Sequence, residues 1–306
     1  MIVTVTLNPS LLVDYAADSV ELGTANKVSR VRHRSGGRGL AVARLLTAFG
    51  HEVVAAGLAG GSAGELIRAE LARAGVPTQF TRISAESRRV VRVADAATRQ
   101  ITTLDEPAPY ITTEELGRLA ADYRALLDGA TAVVLCGSLP AGLPAEIYGS
   151  LISYASGAGV PVVLDAGGSP LRHGAARGPA LVIPELAVGE VGGTELGRTE
   201  GDLDLAGAGA LVRPAAGGVR VLTDAGEWLA AIPSRGDPAG AAEFEGFRDA
   251  LVAGFVPGVA LAWSWPDMLT HAVALAASVL PSGEADLSAY EALLPLVAVT
   301  GPVPTG

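Results

Sequence analysis

Thr131-Ala-Val-Val-Leu-Cys136 runs directly into Gly137-Ser-Leu-Pro-Ala-Gly142, and this stretch decides the fold. A continuous apolar, β-branched run closed by glycine reads as a strand buried on both faces. Residues 160–165 (Val-Pro-Val-Val-Leu-Asp) and 180–183 repeat the signal, and a helical pattern opens at about Pro144 between them. Upstream, residues 2–7 form a strand ended by Asn8-Pro9. Leu40, Ala43, Leu46 and Phe49 make a helical stripe over 39–49. A strand at 52–58, a Gly60-Gly61 turn and a helix at 63–74 follow. Residues 88–104 read as two short strands around Asp95–Thr98, and Thr112-x-x-Glu115 is a capping box opening a helix to about Leu127. Residues 214–218 and 233–243 read as Gly/Pro/Ala-rich loops. The strand and helix alternation predicts an α/β protein whose mostly parallel sheet is covered on both faces. In such sheets ligands collect at the C-terminal ends of the strands. The loops placed there are Asn8-Pro9-Ser10, Gly137–Pro140, Asp165–Gly168 and Pro184-Glu185.

Composition narrows the chemistry. The chain has 306 residues, 49% of them hydrophobic and 18% charged, with a net charge of −10. Disorder is excluded, and a strongly acidic surface makes nucleic acid and anionic membrane poor partners. Lys27 is the one lysine, so phosphate chemistry must rest on arginine, backbone amides or metal. Cys136 is the one cysteine, which excludes an internal disulfide and a cysteine-based zinc site and fits a reducing cytoplasm. No signal peptide is read at the N-terminus. Between Ala250 and Pro281 only Asp267 is charged, but Pro257, Pro266 and His271 break the segment into two buried helices, each short for a bilayer. His33, His51, His173 and His271 lack metal-ligand spacing.

Taken in order, these segments resemble the PfkB (ribokinase-like) carbohydrate kinases, in the 1-phosphofructokinase and tagatose-6-phosphate kinase branch. Thr6-Leu7-Asn8-Pro9-Ser10 looks like the branch's opening, and Gly36-Gly37-Arg38-Gly39-Leu40 like its Gly-Gly-Lys-Gly signature. Gly137-Ser138-Leu139-Pro140-x-Gly142 and Leu164-Asp165 match two loops. Gly246-Phe247-Arg248-Asp249 takes the place of Gly-Ala-Gly-Asp. The resemblance covers nearly the whole chain. It implies one three-layer α/β domain over 1–306, with a small β lid at about 9–35 and 88–105. It further implies ATP- and Mg2+-dependent phosphoryl transfer to a sugar-phosphate hydroxyl, in the cytoplasm, and the option of a homodimer through the lid. By this resemblance Asp249 is the base. Asn8, Asp14, Gly36, Gly37, Arg38, Gly39, Arg88 and Ser138 hold the substrate. Gly246, Phe247, Arg248, Thr223 and Gly226 serve the nucleotide and anion hole.

Departures from the pattern are as informative. Phe247 and Arg248 replace small residues where phosphate should meet bare backbone, and Arg248 is either a compensating phosphate ligand or a solvated loop residue. Asp249 is either the base or a helix N-cap. The Pro-Asn-x-x-Glu segment tied to magnesium reads Pro184-Glu185-Leu186-Ala187-Val188, leaving Glu185 and Glu190 as weak metal candidates. The nucleotide loop reads Thr223-Asp224-Ala225-Gly226-Glu227, with two added carboxylates that oppose a triphosphate. On the sugar side, the family's aspartate falls on Leu12, with Asp14 on the same strand face, and its asparagine falls on Ala41. Arg89 extends the lid arginine. The rival expectation is a catalytically degenerate member that binds a phosphorylated ligand or a protein partner without transfer. A third is an altered-substrate kinase rebuilt around Glu185, Glu190, Asp14 and Arg248.

Overall fold

The computed structural model describes residues 1–185, 207–215, 217–231, 245–280 and 282–304. The chain opens with β1 (Ile2–Thr6), β2 (Ser10–Ala17), β3 (Arg30–Gly36) and α1 (Arg38–Ala48). Next are β4 (Val53–Gly60), α2 (Gly61–Arg73), β5 (Thr78–Ile83), β6 (Arg88–Asp95), β7 (Gln100–Asp105) and α3 (Thr113–Leu127). The central run is β8 (Ala132–Cys136), α4 (Ile147–Gly157), β9 (Val162–Ala166), α5 (Gly168–Ala175) and β10 (Leu181–Pro184). It continues with β11 (Ala210–Ala215), β12 (Gly218–Thr223) and β13 (Gly226–Ala231). Last come α6 (Glu245–Leu261), α7 (Trp265–Ser278), α8 (Leu287–Leu293) and β14 (Ala298–Val303).

Among the described residues, ten strands form one sheet in the order β14-β13-β12-β11-β10-β9-β8-β1-β4-β5. The seven from β11 to β5 are mutually parallel, and β12, β13 and β14 add an antiparallel edge. Within the segment 214–218, expected as a loop, Pro214 and Ala215 instead end β11 and Gly218 opens β12. Six consecutive antiparallel residue pairs join β11 to β12, a partner only the tertiary fold supplies.

Period-two alternation sorts each central strand between two apolar layers. Ala132, Val134 and Cys136 of β8, Val163 of β9, and Leu181 and Ile183 of β10 face α1, α6 and α7. Val133, Leu135, Val162, Leu164 and Val182 face the α4 and α5 side, joined by Leu119 and Tyr123 of α3. The expected apolar pair of helices is α6 and α7. No helix among the described residues is long and apolar enough to cross a membrane.

The second sheet, β3-β2-β6-β7, is built from the two segments expected to form a lid. Its root is anchored by Leu11 and Val13, which join the α1/α6/α7 cluster. The opposite face, read from Leu12 and Asp14, looks away from that core.

Candidate active site

The same alternation that buries Val163 and Ile183 puts Asp165 and Glu185 at the strand ends on the α1/α6 side of the sheet. Arg38, the first residue of α1, reaches them. Its approach depends on the glycines around it: Gly37 has φ of 120°, and a Cβ on Gly39 would lie 2.4 Å from Thr6 Oγ1. The Arg38 guanidinium pairs with Asp165 and lies 3.5 Å from Asp249 Oδ1 and 3.6 Å from Glu185 Oε1. Arg248 donates from Nη2 and Nε to Asp165 Oδ1 at 2.6 and 3.3 Å, and from Nη2 to the Ile183 carbonyl at 3.1 Å. Asp165 is 0% exposed, so its charge is tolerated because two guanidinium groups hold it. Burial works against the charge of Arg38, but Asp165 and then Asp249 outweigh it and hold its pKa above the ordinary value. Burial, followed by the neighbouring Asp165, pushes the Cys136 thiol well up, so it is a neutral apolar residue beneath the cluster.

At the start of α6, the Phe247 ring is 8% exposed and packs in the α1/α6/α7 cluster. Arg248 is neither a solvated loop residue nor turned outward, because Asp165 and Ile183 take its donors. Asp249 is the fifth residue of the helix and not its cap; its largely buried side chain faces Arg38. Gly246 precedes them on the same helix.

The structure also brings together Asn8 and Ser138, whose amide Nδ2 donates to Oγ at 3.2 Å. Gly36 sits where a Cβ would run into Ser10 Oγ and Leu12 Cγ. Asp14 is a lid ion-pair hub, accepting from Arg92 Nε at 2.6 Å and Arg34 Nε at 3.3 Å. Burial raises its pKa, and the two arginines more than reverse that. Arg88 pairs with Asp105, and Arg89 with Glu86 at 2.9 Å and Glu106 at 3.8 Å. Thr223 and Gly226 face each other across a two-residue turn, where the Thr223 hydroxyl donates to the Gly226 carbonyl at 2.8 Å. Of the two added carboxylates, Glu227 is matched by Arg220 at 2.7 Å, while Asp224 stays on the exposed turn. Val188 and Glu190 lie outside the described residues.

Sequence reasoning had assigned no role to Asp165 and had passed over Arg34 and Arg92. The alternation Arg30-Val-Arg32-His-Arg34 was the available signal for a basic lid face; the four lid strands carry six arginines against three aspartates. The sequence marked Asp165 by its loop at a strand end but not what it holds, since its partners lie 127 and 83 residues away.

A resident divalent cation does not fit these side chains as they stand. Asp165, Glu185 and Asp249 all face the Arg38 guanidinium. No group of three His, Cys, Asp or Glu among the described residues could hold a metal ion.

Comparison with known proteins follows from this geometry. The description "pfkB family carbohydrate kinase" matches residues 10–189. Among solved structures, the chain is similar to a possible 1-phosphofructokinase from Thermotoga maritima, with 23% identity and a TM-score of 0.79, covering 98% of this chain and 99% of that one. It is similar to phosphofructokinase-2 from Escherichia coli in complex with fructose-6-phosphate, at 22% identity and TM-score 0.79, covering 96% and 98%. A carbohydrate kinase from Agrobacterium tumefaciens matches at 16% identity and TM-score 0.72, covering 98% and 99%. The fold is therefore ribokinase-like.

Proposed function

The chain belongs to the pfkB family of carbohydrate kinases, and from that premise we propose that it transfers the γ-phosphoryl group of ATP to a hydroxyl of a sugar phosphate. The observation that carries this reading is the seating of Asp249. Its carboxylate stands at the ligand end of the sheet beside Arg38, and the two bulky residues before it turn their side chains inward. Asp249 takes the proton of the acceptor hydroxyl as that oxygen bonds to the γ-phosphorus, the β–γ bridging bond breaks and ADP leaves. Arg38 and Arg88 hold the acceptor's phosphate, with Ser138 and Asn8 completing its side, and the start of α6 faces the moving phosphoryl group. Each arginine must exchange a protein carboxylate for phosphate when ligand arrives. The magnesium the family uses would travel with the nucleotide; no step here is assigned to a metal held by the chain.

Purified protein given ATP, magnesium and either fructose 1-phosphate or tagatose 6-phosphate should consume ATP. Asp249→Asn should reduce turnover by about 10³-fold or more while the thermal shift produced by ligand persists. Unchanged turnover in that variant removes Asp249 from the base role. Turnover by neither acceptor, with no nucleotide-induced shift at millimolar levels, sinks the kinase reading.

A second reading has its own observations. Leu12 and Ala41 offer no hydrogen bond to a sugar, and Asp14 is already committed to Arg34 and Arg92. These favour a member that binds a phosphorylated ligand without transfer. Sugar phosphate that raises the melting temperature without ATP consumption selects it.

A further inference from the structure

We propose that the acceptor carries a second anionic group, a carboxylate or a phosphate, besides the phosphate given to Arg38 and Arg88, and that Arg32 and Arg30 receive it. The inference rests on the proposed function for placing the acceptor beside Arg88; the charge of the face that meets it stands on register and ion pairing.

Cross-strand register puts five arginines on one face of the β3-β2-β6-β7 sheet. Arg88 stands beside Ser10, Arg34 beside Leu12, Arg32 and Arg92 on either side of Asp14, and Arg30 beside Ala16. Against them the same face carries two carboxylates, Asp14 and Asp105, the latter beside Val90. Asp105 pairs with Arg88. The two Asp14 oxygens are taken separately, Oδ1 by Arg92 Nε at 2.6 Å and Oδ2 by Arg34 Nε at 3.3 Å. Arg32, directly opposite Asp14, is left out of that pairing. Both it and Arg30 are exposed, with no ion pair among the described residues. The face therefore holds three more positive than negative groups, in a chain whose net charge is −10. Like charges side by side on a sheet repel, and an anionic ligand relieves that repulsion. Leu12, in the row between Arg88 and Asp14, gives a sugar hydroxyl nothing to bond. A guanidinium, by contrast, grips carboxylate or phosphate oxygens through its planar fork. Arg32 lies two rows from Arg88, roughly 13 Å of strand, which a six-carbon chain with an anion at each end spans when both arginine side chains reach inward.

The test uses the full chain without nucleotide, at about 50 mM sodium chloride so that exposed charges are not screened out. Titration calorimetry compares glucose 6-phosphate with two probes of the same carbon skeleton, 6-phosphogluconate and glucose 1,6-bisphosphate. At least one of the two should bind about tenfold or more tighter than glucose 6-phosphate, the worth of one charge-assisted contact. Which one leads tells whether the second group is carboxylate or phosphate. Replacing both exposed arginines, Arg30→Gln with Arg32→Gln, should cut that preference to about threefold or less. Arg73→Gln with Arg82→Gln removes the same charge from exposed positions on α2 and β5 and should keep it. Wild-type protein that binds neither probe more tightly than glucose 6-phosphate overturns the proposal without any variant. So does a preference that survives in the Arg30/Arg32 variant or is lost equally in the Arg73/Arg82 one. ATP affinity that falls in the Arg30/Arg32 variant, with no preference among the sugar phosphates, gives this face to the nucleotide and also overturns it. ATP consumption is read in parallel. The expected preference without turnover removes the kinase reading alone; turnover with no such preference removes this inference alone.

Discussion

His271 on α7 sits among Phe49, Trp263 and Tyr290, with ring centroids 6.4, 5.4 and 5.4 Å away. Burial, with His51 adding to it, pulls its pKa down to about 4. The folded state thus favours the neutral ring, and the unfolded chain binds the proton first as pH falls. Stability contributed by neutral His271 is complete above about pH 6.5 and is lost progressively toward pH 4. Chemical denaturation of wild type and His271→Phe at pH 7 and pH 5 should show the wild type losing more stability on acidification. Equal losses would show that this ring does not govern the acid limb. At this scale the sequence marked Asp249, Arg38 and Ser138 by their motifs. It did not reveal what their side chains touch, because Arg38 and Asp249 meet across 211 residues.

Helix boundaries were legible where their signals are local. Thr112 caps α3 as expected: its hydroxyl accepts from the Glu115 N–H at 3.2 Å, and the Glu115 carboxylate accepts from the Thr112 N–H at 2.9 Å. Glu115 also accepts from the Ser84 N–H at 2.7 Å. Although burial disfavours its charge, these N–H groups hold its pKa down at about 2. Thr112→Ala should cost about 1 kcal/mol of unfolding free energy, and Glu115→Ala about 2 kcal/mol or more, since it orphans two N–H groups. Urea denaturation ranks the two variants, and the reverse order would refute the assignment. Helix packing was less legible. A Cβ on Gly254 would lie 2.4 Å from the Ala272 Cα, so α6 and α7 meet backbone to backbone there. Gly254→Ala should destabilise by about 1–3 kcal/mol despite its better helix propensity. A stabilised variant would mean the helices can part without loss.

Across the molecule, Trp228, Trp263 and Trp265 all pack against the α1/α6/α7 cluster, and so does the lid root through Leu11 and Val13. Lid and sheet therefore share one core, and we expect one cooperative unit. Tryptophan fluorescence and far-ultraviolet circular dichroism should give coincident thermal transitions. A separate lid transition would contradict that. The charge balance also acquires a pattern at this scale. In a chain of net charge −10, the lid strands are arginine-rich, so the positive charge stands where phosphate is proposed to enter.

The sequence by itself determined the layered α/β fold and the helix caps, because alternation, caps and turn residues act over a few neighbours. Only the tertiary structure decided where Phe247 and Arg248 turn and that Asp14 belongs to Arg34 and Arg92. It alone also showed that Arg38 and Arg248 share a fully buried Asp165. Those outcomes depend on which strand ends and helix starts meet in space, and the partners are too far apart in the chain for any local pattern to record.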